Sequence, residues 1–180
     1  MQTASMSKNA NALPTYLFAK VNPQKLEDVL ESLEDLGYVD WYGSTTGRYD
    51  LALALKGSDL KQVYSTIKEI RDIEGVESTT SFIPFEGYVR KETEDEDEER
   101  GSLGQVFLRT RGDSEDVLAS LKKLPVVSEV VVVPGEWDVV ATVRGGSYED
   151  ILKTTIEEIA RIDGVSASET SFVYQPKSAA

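Results

Sequence analysis

One unit is written twice along this chain, and that duplication restricts its possible folds more than any other feature. Thr46-Gly47-Arg48-Tyr49-Asp50 leads into the alternating run Leu51-Ala52-Leu53-Ala54-Leu55. Further on, Pro134-Gly135-Glu136-Trp137-Asp138 leads into Val139-Val140-Ala141-Thr142-Val143. Each copy reads Gly, any residue, aromatic, Asp, then an apolar strand. A Gly just before a strand marks a tight turn that needs positive φ, and the Asp sits where turn becomes strand. Downstream, Ile70, Ile73, Gly75 and Val76 answer Ile159, Ile162, Gly164 and Val165, and Thr80-Ser81-Phe82 answers Thr170-Ser171-Phe172.

Around these turns each copy reads strand, helix, strand, strand, helix, strand. In the first copy the strands are Thr15 to Val21, Val39 to Thr45, Tyr49 to Lys56 and Val76 to Ile83. Asn22-Pro23 opens a helix whose inward face is Leu26, Val29, Leu30, Leu33 and Leu36, and Pro at an early helical position costs no hydrogen bond. The second helix presents Leu60, Val63, Ile67, Ile70 and Ile73. In the second copy the strands are Val106 to Arg111, Val127 to Val133, Trp137 to Val143 and a last one running to about Tyr174. Its helices turn Val117, Leu118, Leu121 and Leu124, then Leu152, Ile156, Ile159 and Ile162, inward. Arg111-Gly112-Asp113 reads as a loop, with Asp113 or Ser114 capping the helix that follows.

This order gives an α+β fold: two tandem ferredoxin-like (βαββαβ) units, each a four-stranded antiparallel sheet with both helices on one face. The third strand of each copy is apolar on both faces, so the helix-free face would be an exposed association surface. Packing the two sheets face to face, as a pseudo-dimer within one chain, resolves this. The expected division is a tail over 1–13, a first unit over 14–88, a linker over 89–102, a second unit over 103–176 and a tail over 177–180. The linker contains Lys-Glu-Thr-Glu-Asp-Glu-Asp-Glu-Glu-Arg, a like-charged block that cannot offset the entropy of ordering.

Composition narrows the function. The net charge of −13 argues against direct nucleic-acid contact, which depends on clustered Lys and Arg, and against an anionic membrane surface. No apolar run approaches the roughly 20 residues that span a bilayer, so a cytoplasmic location is expected. Cysteine and histidine are absent; this removes thiolate chemistry, the commonest general base and the commonest metal ligand. The expectation is therefore no enzyme, no cofactor and no metal.

Each copy resembles the effector-binding domain of the Lrp/AsnC regulators, also called the RAM domain. The resemblance rests on Thr46-Gly47-Arg48-Tyr49-Asp50, on Ile73-Glu74-Gly75-Val76 followed by Ser78-Thr79-Thr80, and on their counterparts Gly135-Glu136-Trp137-Asp138 and Ile162-Asp163-Gly164-Val165 with Ser168-Glu169-Thr170. It covers roughly residues 14–86 and 104–175. It implies a sheet-to-sheet dimer, assembly into larger rings, and a small effector, usually an amino acid, held at interfaces between dimers. Matched to this sequence, the binding residues are Gly47, Arg48, Tyr49, Asp50, Thr79 and Thr80 in the first copy and Gly135, Trp137, Asp138 and Thr170 in the second. The usual members carry an N-terminal helix-turn-helix, whereas a short polar stretch precedes the first strand here, so indirect regulation of transcription is expected.

These residues also have plainer readings. Asp50 and Asp138 suit a turn as well as a ligand's ammonium group; Tyr49 and Trp137 suit packing; the threonines are good strand formers. The functional expectation is a homo-oligomeric, effector-binding protein. The alternative is an assembly adaptor for DNA-binding Lrp/AsnC regulators, without a ligand of its own.

Overall fold

The computed structural model describes residues 12–57, 59–91 and 101–178. The first half contains β1 (Thr15–Val21), α1 (Leu26–Glu34), β2 (Val39–Ser44), β3 (Leu51–Leu55), α2 (Leu60–Arg71), β4 (Val76–Phe82) and β5 (Glu86–Val89). The second contains β6 (Ser102–Thr110), α3 (Ser114–Leu121), β7 (Val127–Val132), β8 (Val139–Gly145), α4 (Tyr148–Glu157) and β9 (Val165–Ser178). The fold is mixed α+β, with strands paired antiparallel in the order β4-β1-β3-β2-β9-β6-β8-β7-β5. The expected tail over 1–13 falls largely, and the acidic run over 92–100 wholly, outside the described residues.

Two strand segments correct the expectation of two self-contained four-stranded sheets. β5 leaves the first half and pairs with β7 of the second, Glu86 opposite Val132 through Val89 opposite Glu129. In return, β9 continues past Tyr174 and pairs with β2, bringing Lys177 opposite Tyr42 and Ser178 opposite Trp41. Each half thus covers the unpaired edge of the other, removing two rows of unsatisfied backbone groups. The chain turns this corner differently in each half. Pro84, which lacks an N–H, separates β4 from β5, whereas β9 bends at Gln175, at φ 44°.

Three buried clusters fill the molecule. Leu17, Leu51, Leu53 and Leu55 meet Val29, Leu33, Val63 and Ile70 beneath α1 and α2. Val106, Leu108, Val139 and Val143 meet Val117, Leu121, Ile151 and Ile159 beneath α3 and α4. Between the halves lies a seam of Tyr16, Phe18, Trp41, Phe82, Phe107, Val131, Trp137 and Val140. Its rings interlock, with Phe18 5.1 Å and Phe82 5.7 Å from Phe107.

Two helix faces differ from the spacing argument. Leu60 is 64% exposed, and the inward set of α2 is Val63, Thr66, Ile67 and Ile70. On α4, Leu152 and Ile156 are 44% and 55% exposed, while Ile151, Thr155 and Ile159 turn inward. The cause is the end of α4, which gives way to a 3-10 turn over Ile159–Arg161. A tighter turn rotates the face by about one residue, so counting back from Ile162 selects the wrong stripe. The buried Thr155 hydroxyl donates to the Ile151 carbonyl at 2.8 Å, which lets a polar residue occupy the core.

Candidate functional site

The two Gly-X-aromatic-Asp turns are built alike. Gly47 and Gly135 take φ 101° and 153°, which a Cβ would oppose. The Asp then closes the turn on the neighbouring strand. At β1 the register to β4 slips between Lys20 and Val21, and the freed Val21 N–H donates to Asp50 Oδ2 at 2.9 Å. At β6 the register to β9 slips between Arg109 and Thr110, and the Thr110 N–H donates to Asp138 Oδ2 at 2.8 Å. The same Asp residues use their backbone too: Asp50 N–H donates to Ala19 and Thr45 N–H to the Asp50 carbonyl, matched by Asp138 to Leu108 and Val133 to Asp138. In each copy, one carboxylate oxygen is committed to holding a bulge.

The aromatic residues of the turns lie against the seam. Tyr49 is 5.3 Å from Phe18, and Trp137 is 5.9 Å from Phe107 with the Arg109 guanidinium 5.1 Å from its ring. The structure also brings the two turns together, an approach that no local pattern announced. Arg48 donates to both oxygens of Glu136, at 3.0 and 2.9 Å, and Arg109 donates through Nε to the Glu136 carbonyl at 3.2 Å. Hydrogen bonding to Glu136, its charge and that of Glu169 raise the affinity of Arg48 for its proton.

The threonines divide. Thr79 is half-buried and lines an open groove of about 480 Å³ with Ile67, Arg71, Val76, Glu77, Ser78 and Ser81. Thr80 is exposed and lies opposite Phe18, on the face that Phe82 turns into the seam. Thr170 lies opposite Val106, and it shares a face with Phe172, which packs against the helix-side core. Since Phe107 lies opposite Glu169 as Phe18 lies opposite Thr80, the positional equivalent of Thr80 is Glu169. Aligning the two Thr-Ser-Phe triplets slips the register by one residue, and in a strand that reverses every face. Asp113 caps α3, its Oδ1 accepting the Glu115 N–H at 2.9 Å. No group of three or more metal-ligating side chains occurs among the described residues, and no helix there is long and apolar enough to cross a membrane.

A family model, the Lrp/AsnC ligand binding domain, matches residues 15–93 and again 105–178. An uncharacterized HTH-type transcriptional regulator of Pyrococcus furiosus is 37% identical over 79 residues, which are 41% of this chain and 53% of that protein. The HTH-type transcriptional regulator LysM of Sulfurisphaera tokodaii is 30% identical over 74 residues, again 41% of this chain and 53% of that protein. The chain thus spans about half the length of the curated relatives it matches. Among solved structures, the siroheme decarboxylase NirDL superimposes with a TM-score of 0.63 at 15% identity, covering 92% of this chain and 76% of that one; this likeness concerns the fold alone. With its two matches together covering most of the sequence, the chain belongs to the Lrp/AsnC ligand binding domain family and carries that domain twice.

Proposed function

We propose that this chain is a non-enzymatic effector-binding and assembly module. It consists of two ferredoxin-like units, over 14–88 and 103–176, facing each other as an intrachain pseudo-dimer, and it acts on transcription indirectly through its assembly state. The effector is a small, amino-acid-like molecule held near the two turns where chains meet. The observation that carries the reading is the meeting of the two turns: Arg48 grips Glu136, so both copies of the Gly-X-aromatic-Asp signature stand at one place on the surface. The outer edge of β4, paired only with β1 among the described residues, supports contact between chains. A ligand bound across such a contact stabilises one assembly state by its differential affinity.

Light scattering after size exclusion, with and without a panel of free amino acids, tests the assembly. A monomer indifferent to all of them sinks it. For the site, Asp50→Asn and Asp138→Asn keep one acceptor oxygen for the bulge while removing the charge that would meet an ammonium group. Both are expected to lose an amino-acid-induced thermal shift while remaining folded.

A second reading has its own observation. Asp50 and Asp138 already accept backbone N–H bonds, which is what a purely structural turn requires. An adaptor that joins DNA-binding Lrp/AsnC regulators without a ligand would show no thermal shift and would co-assemble with such a regulator in mixing experiments.

A further inference from the structure

The seam between the halves is chemically lopsided although its backbone is symmetric. Across β1, β3 and β2, Tyr16 and Trp41 both lie opposite Ala54. Across β6, β8 and β7, Gln105 and Glu129 both lie opposite Thr142. Position for position, Tyr16, Ala54 and Trp41 therefore correspond to Gln105, Thr142 and Glu129. Lys56 and Arg144 correspond too, each donating its backbone N–H to the residue before the second strand of its own half, Tyr38 and Val126.

These rows meet as donor and acceptor. The fully buried Tyr16 hydroxyl donates to Glu129 Oε2 at 2.7 Å and accepts from the Thr142 hydroxyl at 2.8 Å. Thr142 in turn accepts from Gln105 Nε2 at 2.7 Å. The Lys56 ammonium lies 2.8 Å from Glu129 Oε1 and 3.0 Å from Asp40. The contact related by the internal two-fold would join Gln105 to Trp41. Gln105 Oε1 and Trp41 Nε1 are each buried with no hydrogen-bond partner. Only one of the two equivalent contacts is a bonded one.

We propose that Tyr16 and Lys56 address the first half's sheet to a partner presenting Glu129 and Thr142, so that the seam forms between unlike halves and never between two first halves. In a pair of first halves, Trp41 and Ala54 would stand where Glu129 and Thr142 stand. Neither offers an oxygen, and burying the Tyr16 hydroxyl without an acceptor is costly. A pair of second halves is less penalised, because Gln105 and Arg144 replace Tyr16 and Lys56 as donors toward Glu129. Discrimination therefore resides in the first half. A polar group buried at a self-association face selects partners because the wrong partner leaves it unpaired. The same rule identifies which other chains could take the second half's place: family members whose sheet presents a carboxylate beside a hydroxyl.

The test uses the full chain with a protease site placed within 92–100 and cut after folding. Nicked protein is mixed with an isotope-labelled nicked copy in mild denaturant, and native mass spectrometry reads which halves share a complex. Unlike pairs are expected to exchange label, with first-half pairs about tenfold or more below random pairing. Trp41→Glu with Ala54→Thr gives the first half its own acceptors and should raise first-half pairs about tenfold. Random pairing in the unsubstituted protein overturns the proposal, as does an unchanged ratio in the double variant. Where the halves do not exchange, or the double variant does not fold, the intact chain decides. Tyr16→Phe and Glu129→Gln combined are expected to lower Tm by clearly less than the sum of the single losses, and strictly additive losses overturn the proposal.

Discussion

The two turns and the two seam rows diverge to opposite degrees, although both pairs descend from the same duplication. Asp50 and Asp138 perform one task with nearly one geometry, each holding a bulged N–H. Tyr16 and Gln105, in equivalent strands and opposite equivalent partners, do different chemistry. A turn is closed by its own half, so each copy must keep the full device. A seam is closed by both halves together, so one half can supply donors and the other acceptors. Residues that satisfy their own unit stay alike; residues that satisfy the other unit are free to specialise.

Glu129→Ala should break this comparison hardest. It leaves the Tyr16 hydroxyl and the Lys56 ammonium facing an empty position, and removing one partner of a buried ionic contact costs about 3–5 kcal/mol. Thermal unfolding would show it as a Tm loss of about 2–4 °C per kcal/mol for a chain of this size. Asp50→Ala and Asp138→Ala should each cost about 1–3 kcal/mol, the cost of an unsatisfied buried N–H. Equal losses in the two halves sharpen the claim of equivalent turns; a loss confined to one half contradicts it.

Alkaline titration gives a third test. Burial and the Glu129 charge raise the Tyr16 hydroxyl well above its ordinary value of 10.0. Burial pulls Lys56 down, but Glu129 and Asp40 outweigh it, and the net effect lifts it above 10.5. Both groups hold their protons more tightly folded than unfolded. The stability they contribute is therefore complete below those ordinary values and declines as pH climbs past them toward the folded ones. Chemical denaturation on either side of pH 10 is expected to show this decline, shallower in Tyr16→Phe. The smallest effect belongs to the bridge between the turns. Arg48 and Glu136 are 45% and 50% exposed, so Arg48→Ala should shift Tm least of these substitutions, and less still in high salt.

Sequence alone determined the repeat, the strand-helix-strand-strand-helix-strand order within each copy and the paired turns, because each rests on local spacing; the family followed from the resemblance of those motifs, and the family model matches both copies. The Gly that a positive-φ turn needs, the Asp that follows it and the period-two runs of Leu and Val are all written within a few residues. Strand exchange was not legible, because Glu86-Gly87-Tyr88-Val89 has no pattern that names β7 as its partner, and pairing across halves depends on which edges remain open. The inward face of α4 was misread because a 3-10 turn shifted the helical period. The equivalence of Thr80 and Thr170 failed by one residue because a register is fixed by the neighbouring strand. For the candidate site, the turns could be found in sequence, but their meeting through Arg48 and Glu136 could not. Tyr16 lies more than a hundred residues from both Glu129 and Thr142, its partners across the seam. Only when the two sheets close does the Tyr16 hydroxyl become a buried hydrogen-bond donor, since a buried hydroxyl is defined by what folds against it.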